Sequence, residues 1–577
     1  MPLAPFLALT LFLPAVIVIG NFIIATLTPI TWSPEDDMSL IDPVWRLVQG
    51  QHFGTDFHDP RGFGLFHMAA MLWRLLGPQY YVLRAAVDLF AFVIILCGCV
   101  VATRRLHRTA GLAALFCITV AFAASGPSNN GLHDFGMALT YNRLIMSGLA
   151  VVFVQSFAND SDFQRERDYI DLFTAAFLLN ILFLVKISGL VLGIAIVAGG
   201  FIVRGRLTRG VDFSLILLFL AIMVAIDFVI TGTSLFPVIQ DYRLAAEARI
   251  GSYSVLDALY FASRWPILRV VALMALYAVS KPGREGSGNL WCCFFIVAFY
   301  WACQVLLNMS NWGPWRSLIY LAPAAVVAVV TWTDTSDSGA FWNHLWSRFY
   351  PRRLHEIPAR EVIPLLILAL VVAPEVLASF RAVKLDYSIL SGTVEPTAVT
   401  ANKGITFETY GAGLSGFVLS VNRAVQAIEG LSASRETIVN LDYTNPFPAL
   451  FLAPSPKGVS VFWDFGYNVP IGYKPSRQEV IGDACLVTEP KNPVYPSAPT
   501  SKRLIAAVQS HLASAFTLVY QDELWKIWKH NGGCDATDRA SPIAAEKQSG
   551  ITGGPGRQEP AGFAKRISSR PSPAAAL

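Results

Sequence analysis

The sequence predicts an α-helical polytopic membrane protein with about eleven transmembrane helices and a small C-terminal α/β domain outside the membrane. Three observations predict it. Hydrophobic residues make up 54% of the chain and charged residues 15%, where soluble chains carry about 25% charged. Apolar runs of roughly 20 residues recur, each long enough to cross a hydrocarbon core of about 30 Å. Beyond residue 381 the pattern shifts to short β-branched and aromatic runs between turn residues.

The apolar runs place spans near 5–28, 81–103, 110–126, 141–158, 170–185, 188–204, 212–232, 264–280, 289–308, 316–332 and 361–380. The first run contains Pro14 and no small-residue cleavage site, so it reads as a retained span. The pair at 170–204 reads as a tight hairpin with Lys186 at the bend.

Basic residues orient the spans. Arg104, Arg105 and Arg108 follow the second, Arg165 and Arg167 the fourth, and Arg204, Arg206 and Arg209 the sixth. Lys281 and Arg284 follow the eighth, and Arg348, Arg352, Arg353 and Arg360 precede the eleventh. With this count all lie on one side, which the positive-inside rule makes cytoplasmic. Residues 29–80, 127–140, 233–263, 309–315 and everything after 381 then face outward. In the first outer loop, "FGLFHMAAMLWRLLG" reads as an amphipathic helix lying on the membrane or as a packing helix.

Three parts follow: a membrane domain over 1–380 with its outer loop at 29–80, an extracytoplasmic α/β domain over 381–534, and a disordered tail over 535–577 rich in Ala, Pro, Ser and Gly. In the second part "ETIVNLDY", "GVSVFWDFG" and "DACLVTEP" read as strands, "SKRLIAAVQSHLASAF" as a helix, and "TLVYQDELWKIWK" as a strand pair. Cys97, Cys99, Cys117, Cys292, Cys293 and Cys303 sit in or beside apolar runs and read as small core residues. Cys485 and Cys534 are free to pair in an oxidising compartment. No CxxC or zinc-ligand spacing occurs. The net charge of +4 resides at membrane edges, with no basic stripe, so nucleic acid is not an expected partner.

The outward side gathers ionisable groups beside span ends. "WSPEDDMSLIDPVWRLVQG" brings Asp36 and Asp37 just after the first span. One reading is structural: Ser33 caps a helix, Pro34 takes its first position and the acids suit its positive end. A second puts the helix start at Asp42-Pro43 and leaves the acidic pair in a loop. Asp56, His58, Asp59 and Arg61 follow in "GTDFHDPRG", with Arg84 at the second span. "HDFGMALTYNR" brings His133, Asp134 and Arg143, Lys186 lies in the hairpin, and Arg316 opens the tenth span. Charges near hydrocarbon usually face a cavity and a partner. Cations there suit a phosphate headgroup, and a carboxylate suits general-base work on a hydroxyl. Together they describe group transfer from a phosphate-linked lipid. Arg143, Lys186, Arg316, Arg61 and Arg84 are the phosphate candidates. A secondary transporter is the alternative, although no inverted repeat is visible; a non-catalytic membrane protein of envelope glycan assembly is another.

The stretch "DPVWRLVQGQHFGTDFHDPRGFGLFHMAAMLWRLLG", after a first span and an acidic pair, resembles the GT-C superfamily of integral-membrane glycosyltransferases. "VLRAA", "LVKISGL" and "WRSLIYLAP" add to the resemblance, which covers roughly residues 1–330. The chain departs from the family pattern at Asp36-Asp37, and at Arg61-Gly62, where many members carry a second proline. The resemblance implies a GT-C-like fold in a bacterial inner (plasma) membrane, with the site and C-terminal domain periplasmic. It implies a polyprenyl-phosphate-linked sugar donor, a glycan, lipid or protein acceptor, and inversion by single displacement. Asp37 is the expected base, Asp36 the second choice, and Asp134 an assisting group. No cofactor is fixed, and a divalent metal ion stays open.

Overall fold

The computed structural model describes residues 34–79, 81–106, 108–123, 137–158, 169–203, 210–250, 297–303, 412–431, 433–491 and 498–532, with short strands at 397–399 and 407–409 and residues 12, 15, 16, 19, 20, 23, 306, 391 and 493. The expected spans near 264–280, 316–332 and 361–380 lie outside the described residues, as does most of the first.

The first loop forms α1 (Pro34–Val48), β1 (Phe57–His58) and α2 (Phe63–Leu76). Six apolar helices follow: α3 (Tyr81–Arg105), α4 (Arg108–Ala123), α5 (Met137–Phe157), α6 (Tyr169–Val185), α7 (Ile187–Val203) and α8 (Gly210–Thr231). Each coincides with an apolar run of the sequence. Among the described residues two stretches, Tyr81–Arg105 and Asp212–Thr231, are long and apolar enough to cross a membrane. On α3 the exposed residues Leu89, Phe92, Leu96 and Val100 recur at helical spacing, while Ala86, Val87, Phe90, Ala91 and Ile94 are buried. This is one outward apolar stripe and one core stripe on the same helix.

α3 and α6 run in opposite directions, since the end of α3 meets the start of α6. α3 packs on α4 and α5, α5 on α6 and α7, and α6 on α7 and α8. At one end Arg104 Nε and Arg105 Nη2 meet Asp171 at 3.1 and 2.6 Å. The opposite end receives the starts of α3 and α5 and the α6–α7 bend. Lys186 is that bend: it lies between the two helices, and its carbonyl accepts from Gly189 N at 2.9 Å.

Beyond α8 come α9 (Leu235–Ile250), β2 (Thr397–Val399), β3 (Phe407–Thr409), α10 (Ala412–Gly430), β4 (Ile438–Asn440), α11 (Phe447–Phe451), β5 (Val459–Ser460), α12 (Arg477–Ile481), β6 (Leu486–Pro490), α13 (Ala498–Ala515), β7 (Phe516–Gln521) and β8 (Trp525–His530). The four-stranded sheet runs β4-β6-β8-β7. β4 is parallel to β6, and the β6–β8 and β8–β7 pairs are antiparallel. β6 is buried at every position, as a central strand with both faces covered must be. Cys485, just before it, is disulfide-bonded, with its partner outside the described residues. His530 N donates to Cys485 O at 2.9 Å.

The first loop and the C-terminal segment are joined by backbone. β1 pairs in parallel with β5, Phe57 opposite Val459 and His58 opposite Ser460. Trp45 Nε1 donates to Ala453 O at 2.8 Å, and Gln51 Nε2 to Ser455 O at 2.7 Å. Arg46, fully buried, holds Asp42 through Nε at 3.1 Å and also donates to Pro456 O. Burial pushes the Asp42 carboxyl up, against the pull of Arg46. An ion pair this deep is costly to break once formed, which favours a fixed seat for α1.

Candidate functional site

α1 is one helix from Pro34 to Val48 and runs straight through Pro43. The acidic pair therefore sits in its first turn, not in a loop before Asp42. Glu35, Asp36 and Asp37 face the positive end of the helix, and Pro34 suits a position that needs no donor. Ser33 lies outside the described residues.

Inside the helix Pro43 has no N–H to give the carbonyl four residues back, that of Ser39. Arg61 supplies the missing donor. Its Nη2 donates to Ser39 O at 2.7 Å, and its Nη1 to Ser39 Oγ at 2.7 Å. Ser39 Oγ in turn donates to Asp36 O at 2.6 Å. Asp59 holds the same guanidinium through Nε and Nη2, the latter at 2.6 Å. The Arg61 plane also lies over the Phe462 ring, 4.4 Å from its centroid.

The acidic residues differ in surroundings. Asp37 is fully buried. Asp36 is half-buried, and its Oδ1 accepts from Tyr443 OH at 2.8 Å. Tyr443 follows Asp442, whose Oδ1 accepts from Ser501 Oγ at 2.6 Å and from the Tyr443 amide at 2.8 Å. The acidic turn is thus read from the other side by the C-terminal segment.

Gly62 connects this turn to the α6–α7 bend. Its backbone angles are ordinary (φ −68°, ψ 127°). What glycine supplies is room: a Cβ there would run into the Val185 carbonyl. Arg61 is thereby held beside the stretch that ends in Lys186. Gly189, one turn on, lies against Ile145, two residues past Arg143. Arg143 and Lys186 are both buried. Arg84, in the first turns of α3, reaches Asp88 at 3.7 Å.

Asp36, Asp37, Arg61, Arg84, Arg143 and Lys186 therefore lie at the same end of the bundle. Among them Arg61 is engaged by Asp59 and Ser39, and Arg84 by Asp88. Asp134 and Arg316 lie outside the described residues. Among the described residues, no three His, Cys, Asp or Glu side chains group as a metal site.

A second feature was not singled out by the sequence. A cavity of about 460 Å³ opens between the first loop, α9 and the C-terminal segment, lined by His58, Asp59, Asp241, Trp463, Tyr473 and Glu479 among others. His58 Nδ1 meets the Asp241 carboxylate at 3.2 Å. That bond raises the His58 pKa, against the effect of burial. Burial pushes the Asp241 carboxyl up in turn. Tyr473 OH donates to Glu479 Oε1 at 2.5 Å, and burial, then that carboxylate, raises its phenol. The signal in the sequence was the polar face of "IQDYRLAAEAR" within an outward loop. Its partners stand far away along the chain, so spacing did not expose them.

No family model matches the chain, and no curated protein matches it. Among solved structures the chain is similar to the crystal structure of ArnT from Cupriavidus metallidurans bound to undecaprenyl phosphate. The identity is 11% and the TM-score 0.42, over 91% of this chain and 98% of that one, a level of likeness that assigns no residue a role.

Proposed function

We propose that this chain is a membrane glycosyltransferase that moves a sugar from a polyprenyl-phosphate-linked donor to an acceptor hydroxyl on the periplasmic side. One observation carries the reading: a fully buried carboxylate, Asp37, in a helix turn tied through Ser39, Arg61 and Gly62 to the bend that bears Lys186, with Arg143 on the neighbouring helix. A carboxylate and cations at one end of an apolar bundle are the two halves of a displacement at a sugar-phosphate bond.

The step balances as follows. Asp37 takes the proton of the acceptor hydroxyl. The acceptor oxygen forms a bond to the anomeric carbon from the face opposite the phosphate. The bond from that carbon to the phosphate oxygen breaks, and polyprenyl phosphate leaves with the electron pair. Configuration inverts once. Arg143 and Lys186 neutralise the charge that gathers on the leaving oxygen, the kind of stabilisation that is strongest in a dry site. Arg61 is a positioning residue in this scheme, because its donors already serve Asp59 and Ser39. The disulfide at Cys485 supports an oxidising location for the C-terminal segment.

The test is direct. Purified protein given a polyprenyl-phosphate sugar and an acceptor releases polyprenyl phosphate with no ion gradient present. Gradient-dependent solute uptake, with no transfer from any lipid donor tried, establishes the transporter instead. Cysteine labelling at Ser391 and Ser280 should report opposite sides of the membrane; labelling from one side removes the periplasmic assignment.

A further inference from the structure

The outer cavity and the cation-bearing end of the bundle differ in charge. Among the described residues lining the cavity, the cations His58 and Arg243 each have a carboxylate beside them, and the lining carboxylate Asp59 is held by Arg61 from outside the lining. Asp59 is held by Arg61 at 2.6 Å, Asp241 by His58 at 3.2 Å, and Glu247 by Arg243 at 2.8 Å. Glu479 remains, and its oxygens accept from neutral donors, Tyr473 OH and the Ser476 amide. Among the described lining residues the carboxylates Asp59, Asp241, Glu247 and Glu479 outnumber the cations His58 and Arg243, so a phosphate is disfavoured. The ligand that fits is not an anion.

Its hydrogen-bonding chemistry follows from the same groups. With Nδ1 engaged by Asp241, His58 Nε2 has no partner among the described residues, and the side chain is about one-third exposed (35%). Asp241 and Glu479 offer carboxylate lone pairs, and Gln240 an exposed amide. Groups that both donate and accept, as hydroxyls do, satisfy this mixture. Trp463 closes one wall and is itself held rigid, stacked on Phe465 with an interplanar angle of 16°. Planar polar groups around an aromatic wall suit a ring with a hydroxylated rim and an apolar face. The volume, about 460 Å³, lies within the range of small-molecule sites.

The cavity also adjoins the acidic turn. Asp59 lines it, Asp59 holds Arg61, Arg61 holds Ser39, and Ser39 donates to the Asp36 carbonyl. We infer that the cavity between His58, Asp241, Trp463 and Glu479 binds a neutral saccharide ring, the sugar portion of the acceptor. The saccharide site stands on the cavity; its role as acceptor site rests on the glycosyl-transfer reading above.

The experiment is saturation-transfer NMR on the full chain in nanodiscs free of sugar-based detergent. The probes are methyl glycosides of glucose, galactose, mannose and N-acetylglucosamine, with inorganic phosphate as the competitor. At least one glycoside should bind saturably, phosphate should not displace it, and His58→Gln should weaken it roughly tenfold, or about 1.4 kcal/mol. Gln240→Ala, on the exposed face of α9, is the second variant and should weaken the same probe with no change in melting temperature. Saturable binding of none of the glycosides, equal binding in both variants, or displacement by phosphate overturns the site. Glycoside binding by a protein that releases no polyprenyl phosphate leaves the site standing and overturns the transfer reading. Transfer without glycoside binding does the reverse.

Discussion

Arg61 donates to the Ser39 carbonyl at 2.7 Å, the carbonyl that Pro43 leaves without a helical donor. A side chain thus completes a main-chain helix from 22 residues away. Removing it should show two separable losses. Arg61→Met strands the buried Asp59 carboxylate, and breaking such a pair typically costs roughly 3–5 kcal/mol. It also leaves Ser39 O unserved. Pro43→Ala returns an N–H to α1, so in the Arg61→Met background it should recover about 0.5–1.5 kcal/mol, one net hydrogen bond. Melting temperatures of the two variants in one detergent measure this. A double variant no more stable than Arg61→Met would mean that Arg61 serves Asp59 alone.

Gly62 offers a cleaner steric test. Its φ of −68° suits any residue, so Gly62→Ala carries no backbone penalty. The whole effect comes from the Val185 carbonyl, which is main chain and cannot swing aside. Gly62→Ala should lower the melting temperature and reduce donor use together, because Lys186 follows Val185. Gly416→Ala is the control: nothing lies within 4 Å of its Cβ, and alanine inside a helix is worth roughly 0.5–1 kcal/mol over glycine. Equal stability of the two alanine variants would remove the close approach from the account.

The helices α3 to α8 were legible because each is an apolar run bounded by basic or polar residues, and Lys186 as a bend was legible from the length of its run. The strands β4, β6, β7 and β8 were legible from β-branched and aromatic runs between turns. The start of α1 at Pro34 was one of two readings of its segment; what local pattern did not decide was whether the helix continues through Pro43. "DP" at Asp42-Pro43 looks like a helix start, since a proline inside a helix normally breaks it. What overrides that rule is Arg61, a contact between elements that no local pattern encodes. The same holds for Tyr443 on Asp36, 407 residues apart, and for His58 with Asp241, 183 apart. His58 and Asp59 stand among the outer-face charges of the sequence, yet nothing in their spacing pairs one with α9 and the other with Arg61.

The His58–Asp241 pair makes stability depend on pH in a stated direction. The hydrogen bond to Asp241 raises the folded-state pKa of His58 above its ordinary value of about 6.5. A raised value means that the folded protein holds the proton more tightly than the unfolded chain. The contribution is therefore fully present below about pH 6.5, down to the point where Asp241 itself protonates. It is lost as pH rises through the higher folded value. The melting-temperature gap between the native protein and His58→Gln should accordingly be widest on the acid side and close as pH increases. A gap that widens with rising pH would show that His58 is held neutral and that Asp241 does not charge it.

The acidic turn carries the sharpest test. Asp37→Asn keeps the shape of the side chain but removes the proton acceptor. Loss of a general base typically costs about 10²–10⁴ in rate. Asp36→Asn should cost less, because the Asp36 carboxylate is occupied by Tyr443 OH at 2.8 Å; its partner variant Tyr443→Phe should have a similar, small effect on turnover. A purely structural role predicts another pattern. Acids at a helix N-terminus are worth about 0.3–1 kcal/mol each through the dipole, so Asp36→Asn and Asp37→Asn would lower melting temperature alike and leave turnover per folded molecule unchanged. Turnover and melting temperature measured on the same preparations separate the two. Full turnover in Asp37→Asn moves the base to Asp36 or Asp134, and full turnover in Asp36→Asn, Asp37→Asn and Asp134→Asn alike ends the catalytic role of these carboxylates.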